Sequence, residues 1–429
     1  MMTTLLFKQV QIVEADQVVT RDVLVTDDTI TAVAPQLDVT ADRVIQATGQ
    51  LLTPGLVDIH VHFREPGFEY KETIATGSRA AARGGFTTVA AMPNLNPVPA
   101  TLSAFETVQA RNQAAGVVHI AQYGAISEGL TADEIGDLPA LAAAGAIAFT
   151  NDGKGVQTAA TMLDAMTAAA KVNRPLVAHV EDESLVRGGV MNLGARSAEL
   201  GLPGINPLAE SAQLARDLML AQATGVHYHV AHLSTKESVA LVRLAKQNGI
   251  HVTAEVSPHH LLLDETDITG DDALFKMNPP LRAPADRAAV IAGLLDGTID
   301  MVATDHAPHS VAEKERSFIG AAFGITGIET SFQLLYTHLV KPGIATLAQL
   351  LTWMNAAPID VFQLEAPKQV AVGERADLAL FDLETPYQIN AQDFLSKGVN
   401  TPFIGEVVYG QTQLTLVAGK IAYQAEGEL

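Results

Sequence analysis

Two histidines one residue apart, followed at once by an arginine, mark the segment VDIHVHFREPG at residues 57–67. In an extended strand side chains alternate between faces, so His60 and His62 share one face while Ile59 and Val61 pack the other. Neutral imidazole is the commonest metal ligand near neutral pH, and two on one face can hold one ion. An isolated His-x-His is equally compatible with two strand histidines satisfied by hydrogen bonds, so the rest of the chain has to decide. Four more residues of ligating type end apolar runs: Asp152 in AIAFTND, His179 in PLVAHVED, His232 in VHYHVAHLS and Asp305 in IDMVATDHAP. Four histidines and two aspartates suit two divalent ions that share a carboxylate and a water, with zinc, manganese or cobalt favoured by these donors. The chain has no cysteine, which excludes thiolate ligands and disulfides and suits a reducing cytosol.

The elements that must bring these residues together recur along the chain as a short apolar run, a polar residue at its C-terminal end and an Ala- or Leu-rich helical stretch. Eight such runs occupy residues 57–62, 86–94, 118–126, 146–152, 175–182, 226–234, 250–258 and 299–308. Intervening segments such as TIATGSRAAARGG and AATMLDAMTAAAKVN have the length and alanine content of helices. Eight βα units predict a (β/α)8 TIM barrel, with the active site at the C-terminal ends of the strands, where the candidate ligands fall. Period two puts His232 opposite His227 and His229, which are therefore assigned to the helix-facing side. Residues 1–53 and 366–429 break the pattern. Both read as short strands, and neither end holds a core of its own, so they are expected to meet in one small β-sandwich domain beside a barrel of residues 54–365. The charged stretch Ser310–Gly320 fits a mobile lid.

At 429 residues and 48% hydrophobic, the chain can bury an extensive core. A net charge of −21 argues against nucleic acid and anionic membranes as partners, and a negative substrate would need a locally cationic pocket. The start, MMTTLLFKQVQIVEADQ, carries neither a basic leader nor a long apolar stretch, and LPALAAAGAIAF is too short to span a bilayer. A soluble cytoplasmic protein is expected.

TPGLVDIHVHFREPG, AMPN and ATDHAPH resemble motifs of the amidohydrolase superfamily, within it the cyclic amidohydrolases and the dihydroorotase family in particular. The resemblance runs over essentially the whole chain. It implies that His60, His62 and Asp305 hold one metal ion and His179 and His232 a second, most often zinc, with Asp152 bridging; many relatives use a carboxylated lysine there, and Lys154 lies two residues on. It implies reversible cyclisation of N-carbamoyl-L-aspartate to L-dihydroorotate in pyrimidine biosynthesis, with Asp305 taking the proton of the attacking water and passing it to the leaving nitrogen. Arg64 has the fork to grip the substrate carboxylate. By resemblance His62, Asn94, Asn278 and His309 also contact substrate, Phe323 and Gly324 add backbone contacts, and the chain forms a homodimer. Hydantoinase, dihydropyrimidinase and allantoinase share such a centre, but their usual rings lack the carboxylate that would need Arg64. A scaffold relative without catalysis is disfavoured because all six ligand positions hold competent residues.

Overall fold

The computed structural model describes residues 3–426. Eight parallel strands form its centre: Leu56–Val61, Phe86–Ala91, His119–Gln122, Phe149–Thr150, Leu176–Ala178, Tyr228–Val230, Val252–Val256 and Met301–Val302. The first three pair in order. The last five pair in order as well, and the short strand Gly124–Ala125 continues the third run onto the fourth. The seam between the eighth strand and the first is closed by a parallel bridge from Val61 to His306, by His62 N–H donating to His306 O at 3.0 Å and by Thr304 N–H donating to the Asp58 carboxylate at 3.1 Å. The barrel expected from the eight runs is therefore present. Threonines set the start of several of its helices: Thr73, Thr101, Thr158 and Thr235 each cap the first turn of the helix that follows, accepting a backbone N–H three residues on.

The interior of the barrel is filled by Val57, Ile59, Ala90, Met92, Tyr123 and Val177, and the helix Ala357–Phe362 plugs it with Ile359 and Phe362. Two expectations from strict alternation fail here. Ile59 packs inside rather than opposite His60, because the first strand carries a bulge: Asp58 pairs with Val89 and Val61 with Ala91, leaving Ile59 and His60 both facing Ala90. His229 is not helix-facing. It is fully buried inside the barrel, bonded to Thr253 and Glu255 and edge-on to Phe362. His227 bonds to the same Thr253 hydroxyl. The alternation breaks at His232, whose φ of 33° turns its side chain back to the face His229 already uses.

The two ends of the chain share one sheet. Its order runs Lys420–Gln424, Gln411–Val417, Leu378–Asp382, Leu51–Pro54, Thr4–Glu14, Gln17–Thr26, Thr29–Ala34, with Arg43–Gln46 also paired to Thr4–Glu14. Its far edge returns to residues 373–376 through Ile30 N–H to Glu374 O and Ala376 N–H to Asp28 O, so the sheet curls over a core of its own that includes Phe7, Val23, Ile45, Leu380 and Leu416.

Candidate metal centre

Six polar side chains converge at the C-terminal mouth of the barrel, each delivered by a strand end. His60 Nε2 lies 3.3 Å from Asp152 Oδ1 and 3.5 Å from Asp305 Oδ1. His62 Nε2 lies 3.1 Å from Asp305 Oδ1 and 3.5 Å from Asp152 Oδ2. His232 Nε2 is 3.6 Å from Asp152 Oδ1 and 2.9 Å from His179 Nδ1. Among the described residues, two three-residue groups have ligand atoms close enough to share an ion, His60–His62–Asp305 and His60–Asp152–His232. All six residues are buried. Buried polar atoms are normally satisfied, yet among the described residues His60 Nε2, Asp152 Oδ1 and His232 Nδ1 have no hydrogen-bond partner. A cluster of imidazole nitrogens and carboxylate oxygens with orphaned lone pairs is a donor set that fits divalent cations.

The electrostatics agree. Burial alone would raise the Asp152 and Asp305 carboxyls, but the surrounding imidazoles, His60 foremost, hold both below the ordinary carboxylate range. Conversely burial would suppress charge on His60, and Asp152, Glu255 and Asp305 outweigh it and lift its pKa well above the usual value. The carboxylates at the base of the pocket thus stay ionised and stabilise positive charge there.

The centre lies at one end of a cavity of about 550 Å³ lined in part by Arg64, Asn94, Asn278, His309, Phe323 and Gly324. Arg64 is half-buried, and its Nε–H reaches only Pro308 O at 3.4 Å; among the described residues no acidic group lies within ion-pair distance of its guanidinium. Asn94 is turned toward the centre itself, its Oδ1 2.8 Å from His62 Nδ1 and its Nδ2 3.4 Å from Asp152. Asn278 donates to Glu181 at 2.9 Å and lies 3.4 Å from His179 Nε2, and its buried carbonyl is unpartnered. His309 is paired through Nε2 with Phe323 O at 2.7 Å and through Nδ1 with Lys71 Nζ at 3.3 Å. Burial and the charges of Arg64 and Lys71 push its pKa down to about 3, so the ring is neutral and its one N–H is spent on Phe323. Lys154 points away from the centre, paired with Glu183 at the rim and half exposed, while Asp152 occupies the space between the histidines.

The model of the family described as dihydro-orotase-like matches residues 49–238. Over 422 residues, 98% of this chain and 99% of the other, the sequence is 56% identical to the dihydroorotase of Pediococcus pentosaceus. It is 57% identical over 424 residues to that of Ligilactobacillus salivarius, with the same coverage. The chain belongs to the dihydroorotase family. Among solved structures, an L-hydantoinase (dihydropyrimidinase) from Arthrobacter aurescens superposes with a TM-score of 0.89 at 26% identity, over 100% of this chain and 98% of that one. A D-hydantoinase (dihydropyrimidinase) from a Thermus species gives 0.84 at 26% identity, over 99% and 96%.

Several residues that shape the centre of this dihydroorotase-family chain escape sequence reasoning. Glu255 bonds His60 Nδ1 at 2.6 Å. Glu181, held near pKa 2 against burial by His179 and Asn278, sits behind His179. Lys314 is buried, and its ammonium donates to Lys276 O, Ala322 O and Gly324 O at 3.0–3.1 Å. A signal for Glu255 was present: in HVTAEV the apolar Val252, Ala254 and Val256 alternate with Thr253 and Glu255, a pattern that puts the polar pair on one face.

Proposed function

We propose that this protein is a dihydroorotase that interconverts N-carbamoyl-L-aspartate and L-dihydroorotate at a centre of two divalent ions. The observation that carries the reading is an unpaired, half-buried guanidinium, Arg64, at the mouth of a cavity whose base is a His/Asp ligand cluster. A cation left without a carboxylate beside such a cluster is matched by a substrate that brings its own. His60, His62 and Asp305 would hold one ion and His179 and His232 the other, with Asp152 between them and Lys154 outside. Two ions held there would supply an acidified water at neutral pH and Lewis-acid polarisation of the amide carbonyl. Asp305 is ionised and accepts the proton of the attacking water, then delivers it to the ring nitrogen as the amide opens; ring closure reverses both transfers. His62 and Asn94, bonded to each other, fix the wall beside the reacting amide, and Asn278 and the Phe323–Gly324 backbone line the opposite side.

The His and carboxylate donor set of this cysteine-free chain suits zinc, manganese or cobalt, and zinc is chosen among them on the family resemblance. The cytosolic location rests on that composition and on the finding that no helix among the described residues is long and apolar enough to cross a membrane. The homodimer rests on the family resemblance, and light scattering of the purified chain tests it. We divide the chain at 53/54 and 365/366; the terminal-sheet strand Leu51–Pro54 ends one residue past the first boundary, and the first barrel strand begins at Leu56. The deciding assay follows loss of dihydroorotate by purified, zinc-replete protein, with dihydrouracil and hydantoin alongside. Turnover of dihydroorotate above the uncarboxylated rings is expected. The reverse preference would make this a hydantoinase-type enzyme, the class its structural neighbours are named for.

A further inference from the structure

Below the metal centre a line of hydrogen bonds runs down the inside of the barrel that the reaction does not use. Three N–H groups converge on the Glu255 carboxylate, which is fully buried: Oε1 lies 2.6 Å from His60 Nδ1 and 3.3 Å from the backbone N–H of His232, and Oε2 lies 3.1 Å from His229 Nε2. An ionised carboxylate only accepts. His60 must therefore carry its proton on Nδ1, and His229 its proton on Nε2. The other nitrogen of His229, Nδ1, is then an acceptor, and the Thr253 hydroxyl 2.7 Å away gives it its single proton. With that proton committed, Thr253 Oγ1 accepts from His227 Nε2 at 2.8 Å. His227 ends the line, stacked on His251 with ring centroids 4.1 Å apart in a small opening at the far end of the barrel. Every donor in the series points toward Glu255, and among the described residues His60 Nε2 has no hydrogen-bond partner on the side of Asp152 and Asp305.

We propose that Glu255 is a positioning residue: with His229, Thr253 and His227 aligned behind it, it locks His60 in the Nδ1–H tautomer and presents Nε2 to the metal centre. The proposal rests on the metal reading above and adds the residues that pre-set its ligand. The other tautomer would place a hydrogen where the ion must bind and would leave Glu255 facing a lone pair. Glu255 also holds the His232 backbone, which sits at φ 33°, so one buried carboxylate orients ligands from two different strands. Carboxylates behind ligating histidines typically support metal affinity by 10- to 100-fold.

The wild-type apoprotein, labelled with ¹⁵N in histidine, gives the first test. Long-range ¹H–¹⁵N spectra, followed through the pH at which His60 gives up its second proton, should show the remaining His60 proton on Nδ1 and His229 and His227 as Nε2–H forms; a neutral His60 protonated on Nε2 overturns the proposal without any variant. The second test titrates zinc into apoprotein against a chromophoric chelator. Glu255→Gln should weaken at least one ion by roughly 10- to 100-fold while the thermal midpoint of the apoprotein stays within a few degrees of wild type. Unchanged affinity, or an affinity loss matched by collapse of the apoprotein's stability, overturns it. If the wild type itself binds no zinc, the metal reading falls, and the tautomer spectrum still decides the hydrogen-bond direction independently.

Discussion

Arg64 is the residue proposed to separate this chain's substrate from other cyclic amides, and its own backbone shows what that placement costs. Its φ is 60°, in the left-handed region, as are His232 at 33° and Asp305 at 47°. A residue with a β-carbon gives up on the order of 1 kcal/mol to sit there, and such residues collect at working sites. Arg64→Met should reduce kcat/KM for dihydroorotate by about 30- to 1000-fold, the loss expected for a charge-assisted hydrogen bond in a partly desolvated cavity, while a ring without the carboxylate changes little. Equal loss on both substrates would mean that the arginine shapes the centre instead of reading the substrate. Arg64→Lys should recover only part of the activity, since an ammonium cannot copy the planar fork. At Asp305, replacement by Asn keeps size and hydrogen bonding but removes the base, so turnover should drop by about two or more decades, the usual general-base contribution. Near-wild-type turnover in Asp305→Asn would assign the proton transfer to another group.

Between residue and fold, the elements explain what a reading of the sequence reached and where it stopped. Eight strand runs with polar C-terminal ends were visible because a parallel barrel strand is apolar along its length and its chemistry sits at one end. Face assignments failed where the backbone leaves the regular pleat: the bulge at Ile59–His60 and the left-handed turn at His232 each shift the count, and neither leaves a mark in residue type. Lys314 shows a different limit. In HSVAEKERSFIG it looks like one charge among several on a lid, whereas the fold buries it under the carbonyls of Lys276, Ala322 and Gly324, the last two flanking Phe323. Burial and the neighbouring Lys276 push its ammonium down to about 7. As pH rises through that value the amine keeps two donors for three acceptors, so the Phe323–Gly324 wall should loosen and KM for dihydroorotate should increase. Lys314→Met should raise KM at pH 6 by about tenfold, the order expected for losing a charged hydrogen-bond donor, with metal content retained and the rise above pH 7 abolished. A KM within twofold of wild type at pH 6 would show that the wall holds its place without the lysine.

Across the whole molecule the proposed ligands would tie strands together through a bound ion. The proposed set comes from the first, fourth, fifth, sixth and eighth strands, so an ion bound at the centre would bridge elements far apart in sequence. The terminal sheet is fastened to the same body at several points. Thr415 donates to Ala82 O of the first barrel helix at 2.7 Å, Gly55 N–H donates to Asp377 O, and the Asp377 carboxylate lies 3.2 Å from His119 Nε2 on the third strand. Phe381 of the sheet stacks on Phe332 with centroids 4.1 Å apart, inside the same apolar cluster as the barrel helices. Stabilisation of the barrel by metal is therefore expected to reach the sheet. Free zinc at about a thousand times its Kd adds about 4 kcal/mol per site by mass action. For a chain of 429 residues that raises Tm by roughly 5 °C per ion. Calorimetry of the protein with zinc and after chelation should show one transition that moves down as a unit and returns when metal is restored. If chelation instead splits the trace, with one peak moving and another fixed, the terminal sheet melts on its own and those ties do not couple it to the metal centre.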